Sequence, residues 1–285
     1  MNERTVRLKD GGLMPALGQG TWHMGDHKNT EGQEIESIRL GISLGMTLLD
    51  TAEMYGEGAS ERMLGKAIAP LRREELFLVS KVYPWNAGRD NIFKSCENSL
   101  KRLGTDYLDL YLLHWPGSVP LGETVECMER LVVDGKIARW GVSNFDTDDM
   151  EKLFSVPGGE KCAVNQVLYH LGSRGVEYGL LPWLRGHGVA MMAYCPVAQG
   201  GILGRQLLMD KTLNEIAGAH GITVIQLLLA FALRRQDVAA IPKAGTPQHT
   251  RENAKAGEIR LADAEWERIE TAFPAPAHKV PLDIQ

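Results

Sequence analysis

The chain has 285 residues, 44% of them hydrophobic and 24% charged, a balance that supports a sizeable core and excludes a disordered chain. Its formal net charge of −5 is spread over interspersed acids and bases, so no basic stripe is present to neutralise nucleic-acid phosphates. Cys96, Cys127, Cys162 and Cys195 stand apart with no Cys-x-x-Cys pair, which excludes a disulfide framework and reads as thiols of a reducing cytosol.

In chain order, residues 1–10 are polar and charged, and no run of about 18 apolar residues follows, so a cytoplasmic protein without a membrane partner is expected. Residues 6–8 and 13–15 flank Asp10-Gly11-Gly12, the pattern of a small β-hairpin whose glycines supply positive φ. Short apolar runs then alternate with helical stretches. Eight of them predict strands, at 17–20, 46–49, 76–79, 108–113, 137–142, 164–166, 189–193 and 238–241. Ile35, Ile38 and Ile42 share a helix face ahead of Gly45 as a C-terminal cap, and Asp146 opens a periodic stretch ending near Phe154. Strands alternating with helices run parallel. Eight such units closing on themselves give an α/β fold, the (β/α)8 TIM barrel with an N-terminal β-hairpin; a doubly wound open sheet is the alternative. With no linker or low-complexity tract, residues 1–285 read as a single domain.

Several motifs fail. Gly56-Glu57-Gly58 begins a dinucleotide-binding fingerprint, but Glu61 stands where its third glycine belongs. Neither a G-x-x-x-x-G-K-[ST] loop nor a G-x-S-x-G elbow is present, which removes P-loop chemistry and the usual marker of a serine hydrolase. His23 and His27 have the spacing of two ligands on a helix, yet Gly25 lies between them and no acid accompanies them. Both read as solvent-facing loop histidines, and no metal is expected.

In a parallel barrel the active site lies at the C-terminal strand ends. Three consecutive apolar runs end there in ionisable residues: Leu48-Leu49-Asp50, Phe77-Leu78-Val79-Ser80-Lys81 and Leu110-Tyr111-Leu112-Leu113-His114. Singly, Asp50 could cap a turn, Lys81 could lie on the surface and His114 could be a satisfied structural histidine. Together they bring acid, base and imidazole to one rim, where stability alone is a poor explanation because buried charge is costly unless paired. Tyr55, five residues past Asp50, reaches the same cavity. A free tyrosine titrates near pH 10, and an ammonium beside the phenol favours its phenolate form, so Lys81 is expected to lower the pKa of Tyr55.

The segments Asp50-Thr51-Ala52-Glu53-Met54-Tyr55-Gly56, Ser80-Lys81-Val82, Asp109-Leu110-Tyr111-Leu112-Leu113-His114-Trp115-Pro116 and Gly141-Val142-Ser143-Asn144-Phe145 resemble the aldo-keto reductase superfamily. The likeness runs nearly end to end and looks closest to bacterial members described as methylglyoxal reductases. It implies a catalytic tetrad of Asp50, Tyr55, Lys81 and His114 and NADPH-dependent reduction of small aldehydes and ketones, such as methylglyoxal or aromatic aldehydes. Tyr55 would donate the proton, Asp50 would partner Lys81, and His114 would orient the carbonyl.

For the cofactor, the resemblance implies contacts from Gly20, Thr21, Trp22 and Asp50, from Ser143, Asn144 and Gln166 to the carboxamide, and from Tyr194 stacked on the nicotinamide. Pro196, Val197, Gln199 and Gly200 would belong to the loop over the pyrophosphate. Lys243 would meet the 2′-phosphate beside a helix start at Thr246-Pro247, with Ala244, Gly245, Thr246, His249, Glu252 and Asn253 nearby. Three positions depart from the family pattern: Cys195 and Ala244 replace serines, and His249 stands where an arginine often clamps the phosphate. Trp22, Tyr83, Trp85 and Trp115 follow strand ends and predict an apolar substrate pocket. The tail, 274–285, is shorter than family tails that close over the substrate, so a fairly open pocket is expected, in a monomer. Two other functions remain open. One is a cofactor-sensing regulatory subunit of the same fold, as the channel-associated β-subunits resemble the family too; the complete tetrad favours an enzyme over it. The other is a barrel hydrolase using Asp50 and Glu53 as paired carboxylates.

Overall fold

In the computed structural model, which describes residues 4–199 and 201–285, the predicted hairpin is formed by β1 (Thr5–Arg7) and β2 (Leu13–Pro15). They pair antiparallel with Val6 opposite Met14, and Gly11 turns the chain at φ +85°, a conformation that favours glycine. Arg4 Nη2 donates to Arg235 O, Lys9 Nζ to Glu160 O and Arg139 Nε to Asp10 Oδ2. Each partner lies just ahead of a barrel strand, so the hairpin closes the end of the barrel where the strands begin.

Eight strands follow: β3 (Gly18–Gly20), β4 (Leu48–Asp50), β5 (Phe77–Val82), β6 (Leu110–Leu113), β7 (Trp140–Ser143), β8 (Val164–Leu168), β9 (Ala190–Tyr194) and β10 (Val238–Ala240). They are hydrogen-bonded in sequence order and all parallel. The two edges meet through parallel bridges of Leu17 with Ala240 and Gly20 with Lys243, which makes the sheet a barrel rather than the open alternative. The runs predicted at 108–113 and 137–142 shorten at their starts, because Leu108 and Ile137 pair only as an isolated bridge.

The connections are helical: α1 (Glu31–Ser43), α2 (Ala59–Ile68), α3 (Ile92–Leu103), α4 (Leu121–Val133), α5 (Thr147–Phe154) and α6 (Leu180–His187) each link two successive strands. Between β9 and β10 run three helices, α7 (Gly201–Met209), α8 (Lys211–Ala219) and α9 (Val224–Leu233), and α10 (Pro247–Ala256) and α11 (Asp263–Ala272) follow β10. Caps set their ends. Asp146 accepts from Thr147 N at 2.7 Å to start α5, as its sequence pattern predicts, and Gly45 turns at φ +91° just past Leu44, which caps α1.

The strands are buried on both faces, as parallel strands under a helical layer must be; every residue of β5 is buried. Helix α1 approaches β3 closely at Gly41, where an added Cβ would stand 2.1 Å from Gln19 Oε1. That approach lets Gln19 Nε2 donate to Ile38 O and Met46 O and fixes β3 against α1. Among the described residues no single helix is long and apolar enough to cross a membrane.

Candidate active site

The C-terminal strand ends surround a cavity of about 420 Å³. Asp50 ends β4, Lys81 lies in β5 and His114 follows β6, so the barrel itself brings the three together. Lys81 Nζ sits 2.7 Å from Asp50 Oδ2, 2.9 Å from Thr51 O and 3.1 Å from Tyr55 OH, a complete set of partners for a side chain that is 0% exposed. Tyr55 reaches this point from the loop after β4. Its backbone is pinned there by Tyr55 N to Ala52 O at 3.1 Å and Ser60 N to Tyr55 O at 3.2 Å.

The electrostatics differ from expectation at Tyr55. Its pKa stands well above the ordinary tyrosine value, since burial disfavours the phenolate and the charges of Asp50 and Cys195 add to that. The expected downward pull of Lys81 does not prevail, so Tyr55 holds its proton firmly. Burial lowers the pKa of Lys81, with Asp50 acting in the opposite sense. His114 packs edge-on to Tyr55 with ring centroids 5.8 Å apart. Burial, then the Lys81 charge, lowers its pKa from 6.5 to about 2, so the imidazole is neutral. Its Nδ1 is buried without a hydrogen-bond partner among the described residues.

The cavity wall includes Gly20, Thr21, Trp22, Asp50, Ser143, Asn144, Gln166, Tyr194, Pro196, Val197, Gln199 and Lys243. Asn144 occupies the left-handed region at φ +59°, which asparagine tolerates, and its amide spans two neighbours: Nδ2 donates to His114 O at 3.3 Å and Oδ1 accepts from Tyr194 OH at 2.9 Å. Ser143 Oγ donates to Gln166 O at 2.8 Å, and Gln166 Nε2 to Asp50 Oδ1 at 2.8 Å. Gly200 lies outside the described residues. Ala244, Gly245, Thr246, His249, Glu252 and Asn253 do not line this cavity; Ala244 and Gly245 lead into α10, Thr246 caps it and the others lie within it, with Thr246 Oγ1 accepting from His249 N at 3.3 Å.

Of the four predicted aromatics only Trp22 lines the cavity. Tyr83, Trp85 and Trp115 pack on one another beside it, with centroids 4.3 to 6.0 Å apart, and Trp115 lies 4.8 Å from His114. Sequence reasoning passed over His23, Met54, Cys195, Ile241, Pro242 and Gln285, which also line it. Five of these are neighbours of predicted residues or of strand ends, a signal that was available; Gln285 carried none. His23 and His27 are exposed loop residues as expected, yet His23 stacks on Trp22 at 4.4 Å on the cavity rim.

The tail expected to leave the pocket fairly open nevertheless reaches its mouth. Lys279 Nζ pairs with Asp148 at 2.9 Å, Ser173 Oγ bonds Asp283, and Gln285 N donates to Tyr194 OH at 3.3 Å. Short as it is, the tail is tied down stepwise and brings its last residue to the mouth. Among the described residues no group of three or more His, Cys, Asp or Glu is placed to hold a metal.

A model of the Aldo/keto reductase family matches residues 16–273. The chain belongs to that family. It is 51% identical over 284 residues to the methylglyoxal reductase YeaE of Escherichia coli, covering 100% of each chain. It is 35% identical over 269 residues to the glyoxal reductase of Bacillus subtilis, covering 93% of this chain and 91% of that one. The crystal structure of an aldo-keto reductase from Klebsiella pneumoniae in complex with NADPH superposes with a TM-score of 0.96 at 51% identity and covers 100% of both chains. As an aldo/keto reductase, the chain is an oxidoreductase; Asp50, Tyr55 and His114 line its cavity, and the buried Lys81 is joined to it through its hydrogen bonds to Asp50 and Tyr55.

Proposed function

We propose that this protein uses NADPH to reduce small aldehydes and ketones to alcohols, 2-oxoaldehydes such as methylglyoxal among them, and acts as a single-domain, cytoplasmic monomer. The observation that carries the reading is the buried Lys81 ammonium, held 2.7 Å from Asp50 and 3.1 Å from the hydroxyl of Tyr55, both of which line the cavity. The names of its relatives in E. coli and B. subtilis and the NADPH complex of the Klebsiella protein support the substrate class and the cofactor.

The donor set fits a dinucleotide. Hydroxyl and amide groups of Ser143, Asn144 and Gln166 and the half-buried ring of Tyr194 stand near Asp50 and Tyr55, and the ammonium of Lys243 marks the α10 side of the same cavity. Asn144, Gln166 and Tyr194 would hold the nicotinamide end, and Lys243 with the start of α10 the 2′-phosphate. When bound, NADPH supplies a hydride to the carbonyl carbon.

The chain's own part is the proton. Tyr55 keeps it in the resting site and releases it to the carbonyl oxygen as that oxygen gains negative charge. Lys81 then stabilises the phenolate left behind, and Asp50 keeps Lys81 charged against burial. His114, neutral down to pH about 2, offers the oxygen a hydrogen bond without competing as an acid.

The hydrolase reading loses its second carboxylate: Glu53 Oε1 accepts from Tyr83 N at 2.7 Å and Asn86 Nδ2 at 3.2 Å, and Asp50 is engaged by Lys81 and Gln166. The test is loss of NADPH absorbance against methylglyoxal, short aldehydes and aromatic aldehydes. Turnover is expected with several of them. Tight NADPH binding with no turnover of any would replace the enzyme with the cofactor-sensing regulatory subunit.

A further inference from the structure

A second cavity, of about 580 Å³, lies where β1, the end of α9 and the segment joining α10 to α11 meet, at the end of the barrel closed by the hairpin. Its lining includes four arginines, Arg4, Arg7, Arg234 and Arg260, and no aspartate or glutamate. Arg234 is neutralised: it pairs with Glu270 and lies over the rings of Phe231 and Trp266. Arg4 and Arg260 are fixed by backbone instead. Arg4 Nη2 donates to Arg235 O at 2.5 Å, and Arg260 Nη1 donates to Gly257 O at 3.0 Å and Ile259 O at 2.9 Å. Among the described residues these two and Arg7 make no ion pair.

A guanidinium carries five N–H donors, so each of these arginines keeps donors beyond those its backbone partners use. Tying off a loop explains one such contact. It does not explain three cations gathered round one hollow, where like charges repel. The strain is felt at Arg4, whose pKa is lowered by burial and by the neighbouring charge of Arg260. Ala230, Leu233, Ile259 and Leu261 wall the same hollow with apolar groups, which lowers the local dielectric and strengthens any charge pairing inside it.

We infer that this hollow is a binding site for a compact polyanion, a small molecule with two or more adjacent phosphate or carboxylate groups. Arginine forks match both groups and reach them with paired hydrogen bonds. The volume falls within the roughly 300–1,000 Å³ of small-ligand sites. A long polyanion such as nucleic acid would also run across the rest of a surface whose net charge is −5, whereas a compact one meets only the arginines. The site is separate from Lys243, which precedes α10, while Arg260 follows it; a helix of 10 residues spans about 15 Å.

The test is isothermal titration calorimetry of the whole protein with inorganic tripolyphosphate and with citrate, at constant ionic strength. Saturable binding near one equivalent is expected, weakened at least tenfold in Arg7→Gln/Arg260→Gln and unchanged in Lys243→Ala. Response to tripolyphosphate alone assigns phosphate, and response to citrate alone assigns carboxylate. Arg7 is an exposed strand residue, so Arg7→Glu provides a variant whose ligand-free melting temperature stays at the wild-type value while binding is lost. Absence of saturable heat with both anions, wild-type affinity in the arginine variants, or loss of binding in Lys243→Ala would each overturn the site.

Discussion

Gln166 Nε2 donates a 2.8 Å hydrogen bond to Asp50 Oδ1, the carboxylate oxygen that Lys81 leaves free. Gln166 belongs to β8 and Asp50 to β4, so the bond crosses the barrel interior and engages the second oxygen of a carboxylate that is 2% exposed. A buried carboxylate is tolerable only when paired and hydrogen-bonded, and here Lys81 supplies the charge and Gln166 the remaining donor. The same carboxylate raises the pKa of Lys81 and of Tyr55, favouring a charged lysine beside a protonated phenol. Those are the states a proton donor requires before the carbonyl arrives.

Tyr55→Phe therefore removes the transferable proton and little else. General acid catalysis is worth about 10²- to 10⁴-fold, so kcat/KM for methylglyoxal is expected to fall by that factor while NADPH affinity stays near wild type. Fluorescence titration of NADPH alongside steady-state rates measures both. Retention of more than about a tenth of the rate rules out Tyr55 as the donor.

Lys81→Met acts on stability as well as rate, because it strands Asp50 in the barrel. Removing one partner of a buried pair costs about 3–5 kcal/mol, and neutralising the other recovers part of it. Urea denaturation is expected to show a large loss in Lys81→Met and a smaller one in Asp50→Asn/Lys81→Met, with activity depressed in both. Equal stability of the single and double variants means that the 2.7 Å pair carries no net electrostatic weight.

The strand-end logic made Asp50, Lys81 and His114 legible in the sequence, since each closes an apolar run and parallel strands aim their C-terminal ends at one site. Tyr55 was legible once Asp50 was placed. The Gln166 to Asp50 bond was not, because the two are 116 residues apart and the sequence says nothing of which side chains meet inside the barrel. Nor was the raised pKa of Tyr55: a charge sign can be read from Lys81, but the burial that outweighs it belongs to the folded cavity. Tyr83, Trp85 and Trp115 were located at strand ends correctly, and what the sequence lacks is that rings so placed pack on each other, Tyr83 stacked on Trp85 and Trp115 edge-on to both. The tail's reach to Tyr194 depends on Lys279 and Asp283 meeting Asp148 and Ser173, pairings that no local pattern encodes.

Acid should destabilise the fold through its buried histidines. The folded-state pKa is about 2 for His114 and about 4 for His170, both below the unfolded value of 6.5 and both through burial first. The unfolded chain then takes up these protons first as pH falls. Their contribution is fully present above pH 6.5, and it is lost progressively below that, down to about pH 4 for His170 and about pH 2 for His114. One proton corresponds to about 1.4 kcal/mol per pH unit. His114→Gln is expected to flatten the pH dependence of unfolding free energy by about that amount between pH 6 and 4.5. An unchanged slope would mean that His114 already charges in the folded state.

The cofactor's phosphate end gives the last test. Lys243 pairs with Gly20 in a parallel bridge where β3 meets β10, lines the cavity, and makes no ion pair among the described residues. A few residues on, Thr246 caps α10 and Pro247 fills its first turn, leaving backbone N–H groups and the positive end of the helix dipole beside that ammonium. Both favour an extra phosphate over a bare ribose hydroxyl. Ala244 supplies no hydroxyl and His249 no guanidinium, so Lys243 is expected to carry most of the discrimination. A charge-assisted hydrogen bond is worth about 1.5–3 kcal/mol, or about 10- to 150-fold in affinity. Wild type is expected to show a higher kcat/KM with NADPH than with NADH, and Lys243→Ala to lose about that factor with NADPH while its NADH value holds. Equal kcat/KM for the two cofactors in wild type, or an undiminished preference in the variant, would remove Lys243 from the phosphate site.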